Sequence, residues 1–163
     1  MAYLLDANVF IQAKNLHYGF DFCPAFWEWV IGQNEQDVVF SIEKVKDELV
    51  DGGDELSEWA RARGDGFFLP PDNSLLPSLA AVSTWASGGD YEPAAVNLFL
   101  QVPDYYLVAH AHAQEMVVVT HEVPASSAKR IKIPNACVGL DVRCISPYEM
   151  LRAERARFVL PSA

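Results

Sequence analysis

Basic side chains are scarce in this sequence. Its 163 residues carry 12 Lys and Arg against 22 Asp and Glu, a formal net charge of −10. Phosphate contacts need Lys and Arg, so this balance argues against a protein that holds nucleic acid by charge alone. Cysteine is scarce as well. Cys23, Cys137 and Cys144 are widely spaced and form no C-x-x-C pair, which excludes a zinc ribbon and a thioredoxin-type redox site. Reduced thiols in a cytoplasmic protein are the expectation. The opening residues lack a basic leader and meet Asp6 early. No apolar run approaches the roughly 18 residues of a membrane span, so neither a signal peptide nor a membrane segment is expected. Low-complexity tracts, internal repeats and linkers are also missing.

The remaining composition fits one folded domain over residues 1–163. A chain of this length can bury about 70% of its unfolded surface, enough for a core without disulfides or a structural metal. Charge is unevenly distributed. Residues 1–121 hold 5 basic and 18 acidic side chains, whereas residues 122–163 hold 7 basic and 4 acidic ones. The later cations fall into two clusters, Lys129-Arg130-Lys132 and Arg152-Arg155-Arg157, which could equally be a solvated loop and a solvated helix.

Short apolar runs alternate with helical patterns. Strands are expected at residues 3–6, 37–40, 67–69, 116–120 and 142–145. Helices are expected around 9–11 and over 24–32, 42–50, 54–63, 74–87, 92–100, 104–114, 133–140 and 147–157, with Ser41 capping the helix at 42–50. This alternation predicts an α/β fold with a central, mainly parallel sheet covered on both faces. Ligands of such sheets bind at the carboxyl ends of the strands.

Carboxylates stand at those ends. Asp6 closes the first strand, Glu122 follows the strand at 116–120, and Asp104 opens the helix before it. On the helix at 42–50, Ile42, Val45 and Leu49 form an apolar stripe. Glu48 lies roughly 90° from it, at the border of core and solvent. Asp47 faces water, and Glu43 serves the helix dipole. Each acid also has a plain structural reading, as a helix-start, loop or surface residue. Four carboxylates in one pocket repel one another unless a cation neutralises them, and hard oxygen donors suit Mg²⁺ or Mn²⁺. Such a site can activate water and stabilise the departing oxygen of a phosphodiester. Lys129, Arg130 and Lys132 could then hold the substrate backbone. His110 and His112 lie two apart on a helix and make a poor zinc clamp. His121 falls close enough to the acids to touch a substrate.

The segment Tyr3-Leu4-Leu5-Asp6-Ala7-Asn8-Val9-Phe10-Ile11 resembles the opening of PIN-domain nucleases. Lys46-Asp47-Glu48-Leu49, Asp104 to Ala111, and Val118-Val119-Thr120-His121-Glu122 are similar to their later motifs, in the same order. Phe26-Trp27-Glu28-Trp29, the turn at Thr120–Pro124 and Ile131–Cys137 resemble a PIN-like branch catalogued as a domain of unknown function. The resemblance implies a three-layer α/β/α fold and a divalent-metal-dependent ribonuclease. It assigns Asp6, Glu48, Asp104 and Glu122 to Mg²⁺ or Mn²⁺, with Asn8 and Thr120 orienting the ligands. It also implies RNA as substrate, a toxin of the VapC kind held by a cognate antitoxin, and a tendency to homodimerise. Glu122 departs from the family pattern, which has Asp there, and a longer side chain would coordinate through water or displace a second ion. Two other readings stay open. One is a PIN-like binding module without catalysis. The other is a haloacid-dehalogenase-like phosphatase using Lys129 or Lys132, although Asp6-Ala7-Asn8 lacks the second Asp of that chemistry.

Overall fold

Five short, buried strands form the spine of the computed structural model, which describes residues 1–162. They are β1 (Tyr3–Leu5), β2 (Val39–Ile42), β3 (Phe68–Leu69), β4 (Val117–Val119) and β5 (Cys144–Ile145). All neighbouring pairs are parallel, in the order β3-β2-β1-β4-β5. The continuous apolar character of Tyr3–Leu5 and Val117–Val119 follows from burial on both faces. Helices cover the two faces in a three-layer, PIN-like α/β/α arrangement.

The helices are α1 (Ala7–Gln12), α2 (Pro24–Glu35), α3 (Glu43–Asp51), α4 (Glu55–Arg61), α5 (Leu76–Gly88), α6 (Pro93–Phe99), α7 (Pro103–Gln114), α8 (Ile133–Gly139) and α9 (Pro147–Ala153). Six of these, α2, α5, α6, α7, α8 and α9, have Pro in the first turn, where a missing N–H costs nothing. Capping boxes at Asp54 and Ser146 start α4 and α9. No helix among the described residues is long and apolar enough to cross a membrane.

The expected α/β alternation is present, with shifted boundaries. The second strand starts later than residue 37, because Asp37 adopts a left-handed turn with φ 60°. It also runs on through Ser41 and Ile42, which pair with Phe68 and Leu69. Ser41 is therefore not a helix cap. Its buried hydroxyl donates instead to the Leu5 carbonyl at 2.6 Å, tying β2 to the end of β1. The last helix ends at Ala153, so Arg155 and Arg157 lie beyond it.

Helix α8 approaches α5 closely at Gly139. A Cβ on Gly139 would overlap the indole ring of Trp85. We expect Gly139→Ala to destabilise the fold by about 1–3 kcal/mol through overpacking. A urea midpoint equal to that of the wild type would show that the indole swings aside freely.

The chain runs outward from β1 to β2 and β3 on one side, then returns to place β4 and β5 on the other. The order therefore reverses between β1 and β4. Beyond the carboxyl ends of those two strands lies the crevice where sheets of this type take ligands.

Candidate active site

Asp6 sits in that crevice. It leaves β1 in an extended conformation and caps α1, with Oδ1 accepting from the Ala7 amide at 2.7 Å. Its own amide continues the sheet by donating to the Val119 carbonyl. The Thr120 hydroxyl, at the end of β4, donates to Asp6 Oδ2 at 2.8 Å. Both Asp6 and Thr120 are buried. The hydroxyl has one proton, and two donors force it toward Asp6. These are the Asn8 side-chain amide at 3.2 Å and the Glu122 backbone amide at 3.1 Å. Asn8 Oδ1 in turn accepts from the His121 amide at 3.1 Å. Asn8 and Thr120 thus lock the ends of β1 and β4 together around one carboxylate.

Asp104 enters from the first turn of α7, part-buried. Burial raises its carboxyl to about 6, helped by the charges of Glu122 and Glu48 and opposed by Arg130. Asp6 is pushed further, to about 7. Burial is the main cause, the Asp104 charge comes next, Glu122 adds to it, and the Thr120 and Ala7 hydrogen bonds oppose it. Glu48 projects from α3 into a shallow cavity beside Asp104, about 220 Å³ in volume, with Phe99, Ile131 and Arg130 among its walls. The Glu48 side chain faces solvent, yet partial burial still raises its carboxyl. Val45 and Leu49 on the same helix are buried, and Asp47 faces water.

Glu122 belongs to the same electrostatic group but is otherwise engaged. Its Oε2 accepts from the Ile133 amide, the first of α8, at 2.9 Å. Its Oε1 lies 3.9 Å from Arg130 Nη2. An Asp here would be one methylene shorter, which gives the Glu a structural use. Arg130 is the one member of the Lys129-Arg130-Lys132 cluster that leans onto the acids. Lys129 is exposed, and Lys132 precedes α8 half-buried.

The second basic cluster lies elsewhere. Helix α9 runs back from β5, and beyond its end Glu154 accepts a hydrogen bond from Tyr3 Oη at the start of β1. Arg155 and Arg157 follow in a tail whose Phe158 packs on Tyr18 and Phe26.

The donor set suits a hard divalent cation: oxygen ligands, with buried Asp6 and part-buried Asp104 repelling each other. The arrangement is open, however. Among the described residues no three His, Cys, Asp or Glu side chains close around a common point. Asp6, Asp104, Glu122 and Glu48 sense one another electrostatically, and binding an ion would require Glu122 or Glu48 to move inward.

His17 and Tyr148, which sequence reasoning did not single out, also reach this end of the sheet. Tyr148 Oη and His17 Nε2 share a hydrogen bond at 3.0 Å, and the His121 ring packs beside both. They come from segments 131 residues apart, so no local spacing could have joined them.

A family model matches residues 3–158, nearly the whole chain. The chain belongs to the family DUF4411, a domain of unknown function. Within the solved structures, this DUF4411 chain is similar to FitAcB from Neisseria gonorrhoeae at a TM-score of 0.53 and 18% identity, covering 90% of this chain and 98% of the other. That likeness concerns the fold. A search of curated proteins found no match.

Proposed function

We propose that this DUF4411 protein is a divalent-metal-dependent ribonuclease. The observation that carries the reading is the buried Asp6 carboxylate beside the part-buried Asp104, placed at the reversal point of a parallel sheet with Arg130 the one cation leaning on the group. Keeping ionised groups in such a place is costly, and functional sites are where that cost is tolerated.

In this reading Asp6, Asp104, Glu48 and Glu122 hold Mg²⁺ or Mn²⁺. A bound ion would supply Lewis-acid activation of water and charge neutralisation at the leaving oxygen. The chain's own groups do the rest. Thr120, fixed by Asn8, aims Asp6 and prevents its rotation. Asp104 and Glu48 line the approach from the α3–α7 side. Arg130 leaves Glu122 to meet a phosphate oxygen. Water loses a proton to solvent as its oxygen bonds to phosphorus, the P–O3′ bond breaks, and O3′ takes a proton from solvent and departs as a hydroxyl, leaving a 5′-phosphate. The motif resemblance supports a further step, that this chain is a toxin neutralised by an antitoxin partner.

The test is Mn²⁺ calorimetry on the purified protein, beside cleavage of a labelled single-stranded RNA mixture in Mn²⁺, Mg²⁺ or EDTA. Saturable Mn²⁺ binding with cleavage that EDTA stops supports the nuclease. A well-folded protein that neither binds Mn²⁺ nor cuts RNA is not one. The engagement of Glu122 by Ile133 and Arg130 favours a second reading, a binding module in which the acids have lost their metal. A phosphatase is less well served, because both ends of the Asn8 amide are used in holding Thr120 and His121.

A further inference from the structure

We infer that His17, His121 and Tyr148 form a stacking subsite for an unpaired base of the RNA, immediately beside the acids; this rests on the ribonuclease reading above. Three chain segments bring these rings together. The ring centroids are 5.6 Å apart for His17 and His121, 5.7 Å for His17 and Tyr148, and 5.8 Å for His121 and Tyr148. Each ring is partly open to solvent, Tyr148 at 37%. Below them Val9, Ala13, Phe26 and Pro147 leave no water-sized space, so the rings rest on a firm apolar bed.

Their position relative to the acids is set by covalent connection. His121 follows Thr120, whose hydroxyl holds Asp6, and the His121 amide is bonded to Asn8. The crevice therefore has an acidic wall on the Asp104 and Glu122 side and an aromatic wall on the α1 and α9 side. His17 reaches this wall through a widened helical turn over Ala13–His17, closed by the Tyr18 amide on the Ala13 carbonyl at 2.7 Å. Such i→i+5 turns carry a cost and recur beside functional sites.

Charge makes stacking necessary. With a net charge of −10 and Arg130 the one cation leaning on the acids, phosphate contacts supply little affinity. Aromatic faces bind any base without a charge requirement, and each stacked base is worth about tenfold in affinity or more. The apolar packing of the interior is done by other aromatics, among them Phe10, Trp27, Trp59 and Phe67. The rim trio carries polar ring atoms instead, suited to a wet, base-binding edge.

The experiment measures fluorescence anisotropy in the Asp104→Asn background, to prevent cutting, with two probes of equal length and charge. One is a labelled 12-nucleotide oligoadenylate and the other its abasic counterpart. We expect His17→Ala and Tyr148→Ala each to weaken oligoadenylate binding about tenfold and to leave abasic binding unchanged. Tyr148→Phe, which keeps the ring, should stay within about twofold. Equal losses on both probes, or no loss on either, would overturn the subsite. Wild-type protein that cuts RNA while the ring variants bind normally removes this inference and leaves the nuclease standing. Wild-type protein that neither cuts RNA nor binds either probe removes both. Thermal melts establish that each variant is folded.

Discussion

Asp104→Asn should abolish RNA cleavage and, in the same protein, raise the stability of the metal-free fold. The two effects share one cause. A carboxyl held near 6 rather than 3.8 costs the folded protein on the order of 3 kcal/mol at pH 7, since each pKa unit is worth about 1.4 kcal/mol. An amide of nearly the same shape removes that cost. It also gives up a charge near the start of α7, where the dipole contributes about 0.5 kcal/mol. A net gain on the order of 2 kcal/mol is expected, measured by urea unfolding in EDTA. Cleavage should fall about 10²-fold or more, as expected for a group that meets the charge developing in the transition state. Asp6→Asn should lose cleavage equally, but its gain in stability is partly offset, because an amide has one oxygen where Asp6 uses two. A variant that cuts RNA at the wild-type rate would remove Asp104 from the mechanism. One that loses activity by unfolding would show that the carboxylate is structural.

Acidification should narrow the gap between wild type and variant. Asp6 at about 7 and Asp104 at about 6 are both raised above the unfolded value of about 3.8. Protons bound to them stabilise the folded state. That stabilisation is complete below pH 3.8 and is lost as pH rises through 6 and then 7. Buried His110 and half-buried His121, both lowered chiefly by burial, act in the opposite sense as pH falls below about 6.5. Asp54 and Asp72, lowered by hydrogen bonds from Ser57 and Ser74, also oppose it in acid. Comparing wild type with Asp104→Asn at each pH cancels those contributions. In EDTA the difference in melting temperature should be large at pH 8 and fall to roughly a third of that at pH 4.5. Excess Mn²⁺ should raise the wild-type melting temperature at pH 8 and leave the variant nearly unmoved, because ligands must be ionised to bind. A difference that stays constant from pH 4.5 to 8 would mean that Asp104 does not titrate in this range.

The parts of this molecule that were legible in the sequence depend on local chemistry. Apolar runs such as Tyr3–Leu5 and Val117–Val119 can only be buried strands, and their alternation with helical patterns implies a parallel sheet. The end of a strand is also readable locally, which is how Asp6, Thr120 and Glu122 came to be placed at one end of the sheet. The stripe of Ile42, Val45 and Leu49 is a local property too, and it put Glu48 on the border rather than in the core.

The tertiary structure decided everything that depends on strand order. Ser41 reads as a cap until the pairing of β2 with β3 draws it into the sheet and hands its hydroxyl to Leu5. The C-terminal arginines read as one face of a terminal helix until α9 stops at Ala153 and leaves Arg155 and Arg157 in the tail beyond it. Glu122 reads as an unpartnered strand-end acid until α8 presents the Ile133 amide to it. The ring trio exists only because the crossover from β3 to β4 and the pairing of β5 bring residues 17, 121 and 148 to one edge. The sequence by itself therefore determined which carboxylates stand at the strand ends and at which end of the sheet they lie. Only the fold decided which partners each group meets, because those meetings are set by contacts between segments far apart in the chain, to which no local pattern is sensitive.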